Sequence, residues 1–228
     1  MENQTQDLVA IVNLTDKEFD IYQKENYSFP IELIKLSDLL KIKPSVNIII
    51  SDKKTDTNEI LDIIESLKEQ DATIILFSNK KFHPKLDNAF ILNYESFLEI
   101  NMFLKQIDDI YKYQMFPKDC FIDLGIQDIF RFITETKIEK TEIEIYKKEN
   151  IPLKEALDIV RKDFENDERK FKDLLISIET DEEVGLIEIE HLISNIKDII
   201  GVEGVIFQIC VNEKMDDKVN LKFIISYN

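Results

Sequence analysis

The chain is poor in the residues that build tight anion-binding loops. It has four glycines in 228 residues, and they do not gather into a glycine-rich turn. A phosphate cradle needs backbone N–H groups brought close to the anion, which usually means glycine, so that class of site has no ready place here. Cysteine is equally scarce: Cys120 and Cys210 form no CxxC pair and have no histidine near them in sequence. Both sit in apolar, strand-like runs, so buried core thiols are expected rather than a disulfide or a metal site. His83 and His191 stand alone, and surface or helix positions are expected for them. The five prolines are dispersed and mark no linker. No apolar run approaches the roughly 20 residues of a membrane span, and the polar first seven residues contain no signal-peptide core. Positive charge is in deficit, with 29 Lys and Arg against 46 Asp and Glu and a net charge of −17. A nucleic-acid surface requires clustered Lys and Arg, so that partner class is excluded. The acidic surface is read as serving solubility, and the expected location is the cytoplasm.

What is present is an ordinary globular composition, 44% hydrophobic and 33% charged. That is enough for one large domain or two small ones with a substantial core. Apolar runs at 8–14, 46–51, 73–78 and 89–92 read as strands. A helix is expected at about 58–70, its apolar positions Ile60, Leu61, Ile63, Ile64 and Leu67 forming one stripe. Strands alternating with helices point to a parallel sheet. A long amphipathic helix follows at about 95–115, carrying Phe97, Ile100, Phe103, Leu104, Ile107 and Ile110, and Pro117 ends it. A short strand at Cys120–Ile122 and a helix carrying Ile129, Phe130 and Ile133 look like a hinge. Beyond about 140 the pattern becomes strand 142–146, helix 152–166, strand 173–179, helix 186–200, and strands near 204–211 and 219–227. Asn212–Lys218 reads as a polar hairpin turn between the last two strands. This half is expected to form an α+β unit with a mixed or antiparallel sheet.

One stretch stands out. Asp52-Lys53-Lys54-Thr55-Asp56-Thr57-Asn58 follows an apolar strand and opens a helix, the geometry that aims a helix N-terminus at a phosphate. Yet it carries two aspartates and no glycine, and carboxylates cancel the positive end of the helix dipole. The turn reads as a nucleotide-loop scaffold without its anion-binding chemistry. Asp52, Asp56 and Glu59 do not meet the spacing of a calcium loop and lack its central glycine.

The order of elements resembles the FtsZ/tubulin family, and three segments carry the likeness. Aligned on Lys68-Glu69-Gln70-Asp71-Ala72, which is similar to the family's KELGA, the family's GGGTGTG falls on Asp52–Asn58 without a gap. Thr55 and Thr57 then occupy both threonine positions, while every glycine is replaced. Phe121-Ile-Asp-Leu-Gly-Ile-Gln-Asp-Ile129 resembles the synergy loop LINLDFADV, which in the family reaches the nucleotide of the next subunit. Asp128 matches its second acid, Asp123 stands for its Asn, and Gly125 replaces its first acid. Leu174–Ile178, Leu186–Ile189 and Gly204–Gln208 resemble the family's VLVNITG, LTLYEVNEA and ANIIFGA. Val9–Asp16 is similar to the family's second strand. On that alignment the first strand, first helix and first phosphate loop are expected to be missing, as is the C-terminal peptide that recruits membrane tethers.

The resemblance implies an α/β, FtsZ/tubulin-like fold: a parallel nucleotide-binding-type sheet over residues 1–115 with a central helix, then an α+β domain with a mixed sheet over 116–228. It implies a pseudo-GTPase acting in the cytoskeleton or in cell division, by self-association or by modulating a true FtsZ filament. Thr55 and Thr57 would be a vestigial phosphate loop, and Asp123 and Asp128 a vestigial synergy loop. No cofactor or metal is expected, and the partners are itself or FtsZ. Read from the residues alone, Thr55 and Thr57 are expected to cap the helix, and Asp123 and Asp128 to sit in a solvated turn with a helix cap. Two alternatives stay open. One is a residual GTP-binding GTPase. The other is a receiver-like signalling domain with Asp52 as phosphoacceptor and Ser78 as the hydroxyl residue, which lacks a good acid pair at Asp16 and Glu18 and has Asn93 where a Lys belongs.

Overall fold

The computed structural model describes residues 8–22, 24–70, 72–79, 89–114 and 120–228. His83, Pro84 and Pro117 lie outside them. The chain divides into two units, one running through Tyr113 and adding Gly125–Ile138, the other made of Gln114–Leu124 and Glu139–Asn228.

The first unit is built on five parallel strands: β1 (Val9–Asn13), β2 (Ile31–Leu33), β3 (Val46–Ser51), β4 (Thr73–Ser78) and β5 (Phe90–Asn93), in the order β2-β1-β3-β4-β5. Strands β1, β3 and β4 are buried almost throughout because both sheet faces are covered there, whereas the edge strand β2 exposes Glu32 and Leu33. On one face Ala10, Val12, Ile49, Ile74 and Leu76 pack with Leu39 of α1 (Leu36–Ile42) and with α2 (Thr57–Leu67). Helix α2 contributes Ile60, Ile63, Ile64 and Leu67, at i, i+3, i+4 and i+7, the spacing that places them on one stripe. The opposite face carries Phe77, whose ring lies 5.4 Å from Phe103 of α3 (Phe97–Gln114). Phe103 in turn meets Phe130 of α4 (Ile126–Glu139) at 6.0 Å, and Phe130 meets Phe29 at 5.7 Å.

The second unit is a mixed sheet in the order β6-β9-β8-β10-β7, made of β6 (Cys120–Ile122), β7 (Glu142–Pro152), β8 (Phe171–Thr180), β9 (Gly204–Val211) and β10 (Lys218–Tyr227). Strands β8 and β9 are parallel, as the crossover through α6 (Leu186–Ile200) allows, and the other pairs are antiparallel. One sheet face packs Leu174, Ile176, Ile178, Leu221, Phe223 and Ile225 against α6 and α5 (Ala156–Phe164). Helix α6 stops at Gly201, whose φ of +79° is a left-handed conformation that glycine adopts without a Cβ penalty.

The α/β class and the sequence of a parallel sheet followed by a mixed one match the expectation. Three details correct it. Residues 212–217 are not a hairpin turn, because β8 lies between β9 and β10 and the connection passes over its end, with the Asn212 N–H on the Thr180 carbonyl at 2.8 Å. Strand β7 runs on to Pro152, twice the length that its clean alternation suggested. Cys120 and Cys210 are joined in a disulfide rather than left as core thiols: the β6–β9 register sets them opposite each other, Cα atoms 3.8 Å apart, across 90 residues of sequence.

Candidate functional site at the carboxyl ends of the parallel strands

In open α/β sheets, ligands bind beyond the carboxyl ends of the strands. A cavity of about 220 Å³ lies there in the first unit, lined among others by Thr15, Lys17, Asp52, Asn79, Tyr94 and Glu95. These side chains come from the segments that follow β1, β3, β4 and β5. Helix α3 begins at the same edge, with Ser96 and Phe97 in the lining.

The Asp52–Asn58 turn is organised around its own carboxylates. Oδ1 of Asp52 accepts the backbone N–H of Lys54 at 2.8 Å and of Thr55 at 3.2 Å. Burial alone would raise the Asp52 pKa, but these two N–H groups, the Thr55 hydroxyl and the charge of Lys54 outweigh it and hold it below the usual value. The Asp52 N–H is taken by Oγ1 of Thr55 at 3.1 Å, and that buried hydroxyl also lies 3.4 Å from the Leu14 carbonyl. Asp56, not a threonine, is the N-cap of α2: its Oδ1 accepts the Asn58 N–H at 2.9 Å. This corrects the expected capping role of Thr55 and Thr57. Thr55 ties the turn to β1 instead, and Thr57 is the exposed first residue of the helix. The reason is local, since a carboxylate one residue ahead of the first helical residue competes well for the N2 donor.

Around the turn the balance of charge is acidic. Lys54 reaches Asp16 at 2.9 Å, a pair about three-quarters exposed on both sides, and this hydrogen bond raises the Lys54 pKa. Tyr94 donates its hydroxyl to the Ser51 carbonyl at 3.0 Å and stacks on Phe97 with ring centroids 6.1 Å apart. Burial, and then the charge of Asp52, push its phenol pKa up. The amino end of α3 is also answered by a carboxylate, the Glu95 N–H donating to Oε2 of Glu99 at 3.2 Å.

Among the described residues no group of three or more His, Cys, Asp or Glu is placed to hold a metal. Ser78 is fully buried beside Ser51 in the β3–β4 register, whereas Asn93 is exposed. Asp123 and Asp128 fall in different units. Asp123 is exposed, its carboxylate on the Leu124 N–H at 2.9 Å. Asp128 reaches back to the Gly125 N–H at 3.1 Å, the capping contact of α4. Burial raises its pKa, partly countered by Gly125 and Arg131. Lys17, Asn79, Tyr94 and Glu95 were not legible as site residues from spacing. The signal that finds them is their place just beyond a strand end.

No protein-family model matches the chain, and no curated protein matches it. Solved structures do. An FtsZ mutant of M. jannaschii aligns at 14% identity and a TM-score of 0.36, over 84% of this chain and 59% of that one. The empty FtsZ dimer of M. jannaschii aligns at 15% identity and a TM-score of 0.36, over 84% and 57%. TubZ from GDP-form protofilaments of Bacillus thuringiensis serovar israelensis aligns at 8% identity and a TM-score of 0.34, over 84% and 66%. The chain thus spans less than two thirds of each of these proteins.

Proposed function

We propose that this chain is an FtsZ/tubulin-type scaffold that does not use its loop for nucleotide and acts through protein association, with itself or with a true FtsZ filament. The observation that carries the reading is the carboxylate of Asp52 on the N–H groups of Lys54 and Thr55. Those are donors of the turn just ahead of α2 that a phosphate cradled there would need, and an internal anion holds them, as Asp56 holds the Asn58 N–H of the helix itself. A phosphate arriving there would meet the carboxylates of Asp52 and Glu95 against Lys17, the single cation among the described lining residues, with Lys54 already neutralised by Asp16. The sequence likeness of Asp52–Asn58, Phe121–Ile129 and the three C-terminal segments supplies the family side of the reading.

The test is a thermal melt of the full chain with and without GTP and magnesium. A ligand that binds only the native state at a hundred times its Kd adds about 2.7 kcal/mol of stability. The expected result is no shift in Tm. A saturable rise, or stoichiometric GTP binding by calorimetry, overturns the proposal.

A second reading rests on the sheet order. The order 2-1-3-4-5 is that of flavodoxin-like and receiver domains. It is also what remains of the order 3-2-1-4-5-6 when strand 1 is left out, so topology does not separate the two. Asp52 stands at the end of β3, where a phosphoacceptor would, and lines the cavity. A small phosphodonor should then add the mass of one phosphoryl group, abolished in Asp52→Asn. Under the first reading it adds none.

A further inference from the structure

The second sheet ends on β7, an edge strand of eleven residues none of which is buried. One side of it pairs with β10, and among the described residues no strand pairs with the other. A long open edge presents a row of N–H and C=O groups to any passing strand, and proteins commonly blunt such edges with lysine or with a bulge. Here a bend limits the edge: Asn150 has a φ of +54°, gives its N–H to Asn220 at 2.6 Å, and the register with β10 shifts beside it. The straight part is Glu142–Lys148.

That part is polarised. Glu142 and Glu144 lie at its start and Lys147 and Lys148 at its end, so it is neutral inside a chain of net charge −17. An antiparallel strand of the same sequence reverses the polarity and brings acid against base. We propose that β7 is the surface through which two copies of this chain associate, by antiparallel pairing of Glu142–Lys148 with the same residues of a second copy. A two-fold axis normal to the sheet keeps each face on its own side, so only registers that pair residues of one face are allowed. The register centred on Ile145 satisfies this. It sets Glu142 opposite Lys148 of the second copy twice over, with Glu144 on the diagonal to the same lysine. It also places Ile145, 52% exposed in the single chain, against its own symmetry mate. Backbone pairing supplies affinity, and Ile145 and the charge order supply register.

The lysines that repel an arbitrary strand match this one. Their present partners do not oppose the change: Lys148 lies 2.7 Å from Asp163 and Lys147 2.6 Å from Glu149, all partly exposed, and such pairs contribute little to stability. The inference deepens the association proposed above and rests on that reading only for its use. Pairing through β7 requires no nucleotide, so the GTP melt and the experiment below fail separately.

The experiment is sedimentation velocity of the full chain from micromolar to submillimolar concentration at physiological salt, where long-range repulsion is screened beyond about 8 Å. A species of twice the 26.9 kDa chain mass is expected to grow with concentration. Ile145→Lys sets like charges face to face at an exposed position and should weaken the dimer by about tenfold or more with the melting curve retained. Lys148→Glu should do the same, and Glu142→Lys with Lys148→Glu should restore most of it, because the exchange preserves the two direct 142–148 pairs and reverses only the weaker diagonal with Glu144. A wild-type chain that stays monomeric, a dimer indifferent to Ile145→Lys, or a folded double variant that remains monomeric overturns the proposal.

Discussion

Oδ1 of Asp52 accepts the backbone N–H of Lys54 at 2.8 Å, closing a turn that opens α2 with an anion belonging to the chain itself. At other helix starts a first-turn carboxylate reaches back to an N–H ahead of it, Glu99 to Glu95, Asp128 to Gly125 and Glu188 to Gly185. An acidic, glycine-poor chain satisfies the free donors of its helices with its own carboxylates.

Asp52→Ala should therefore cost about 1 kcal/mol, the usual net worth of an intramolecular hydrogen bond, read from urea unfolding. Asp52→Asn keeps an acceptor and should cost less. Because the folded carboxyl titrates below its ordinary value, its contribution is present above about pH 4 and is lost as pH falls through the lower folded value. The Asn variant should have the flatter acid limb. A variant with an unchanged pH profile would show that the N–H contacts are not made.

Asp128 titrates the other way. Burial raises its carboxyl pKa, so the folded state holds the proton more tightly than the unfolded chain does. Its charge opposes folding at neutral pH, and the opposition disappears as pH falls through the raised folded value. Asp128→Asn, which can still accept the Gly125 N–H, should be as stable as wild type or more so at pH 7. The difference should shrink as pH falls through the raised folded value and be gone below about pH 4. Chemical denaturation at the two pH values measures it, and a clear loss at pH 7 would assign the charge a favourable role at the α4 dipole.

Asn47 is the second residue of β3, with no solvent exposure, and among the described residues neither its Oδ1 nor its Nδ2 has a hydrogen-bond partner. An unsatisfied buried polar group costs about 1–3 kcal/mol. Its register neighbours are Ala10 and Ile74, an apolar setting that suits a β-branched side chain. Asn47→Val should raise the urea midpoint without changing the slope. A lowered midpoint would mean that an ordered water satisfies the amide.

Most element boundaries were legible because their signals are local. The stripe Ile60, Ile63, Ile64 and Leu67 specifies α2, and the short apolar runs Ile48–Ile50 and Ile74–Phe77 specify β3 and β4. What was not legible depends on partners. Nothing in Asn212–Lys218 reveals that β8 intervenes between the strands it joins, and nothing near Cys120 names Cys210. The end of β7 was missed because Lys147-Lys148 breaks the alternation before the strand ends. At the candidate site the turn was legible as acidic and glycine-free. The choice of Asp56 over a threonine as cap turns on one residue of register, and Tyr94, Asn79 and Lys17 converge only through the sheet order.

Asp108 of α3 is 1% exposed, and three donors converge on it: Lys112 Nζ at 2.7 Å, the Ser28 N–H at 2.8 Å and Lys105 Nζ at 3.1 Å. Burial pushes its carboxyl upward, but the hydrogen bonds from Lys112, Ser28 and Lys105 outweigh it and hold the pKa below its usual value. The loop that precedes β2 is thereby fastened to the middle of α3. Both lysines keep about half their side chain in water, so Asp108→Asn leaves no buried orphan cation, and the loss should be about 2 kcal/mol, the range of hydrogen bonds to a charged group. A depressed carboxyl contributes in full above its unfolded value near pH 4 and loses its contribution as pH falls through the folded value. Wild type and Asp108→Asn should then differ at pH 7 and converge in acid. A constant gap across that range would show that the packing of the side chain, rather than its charge, holds the loop to α3.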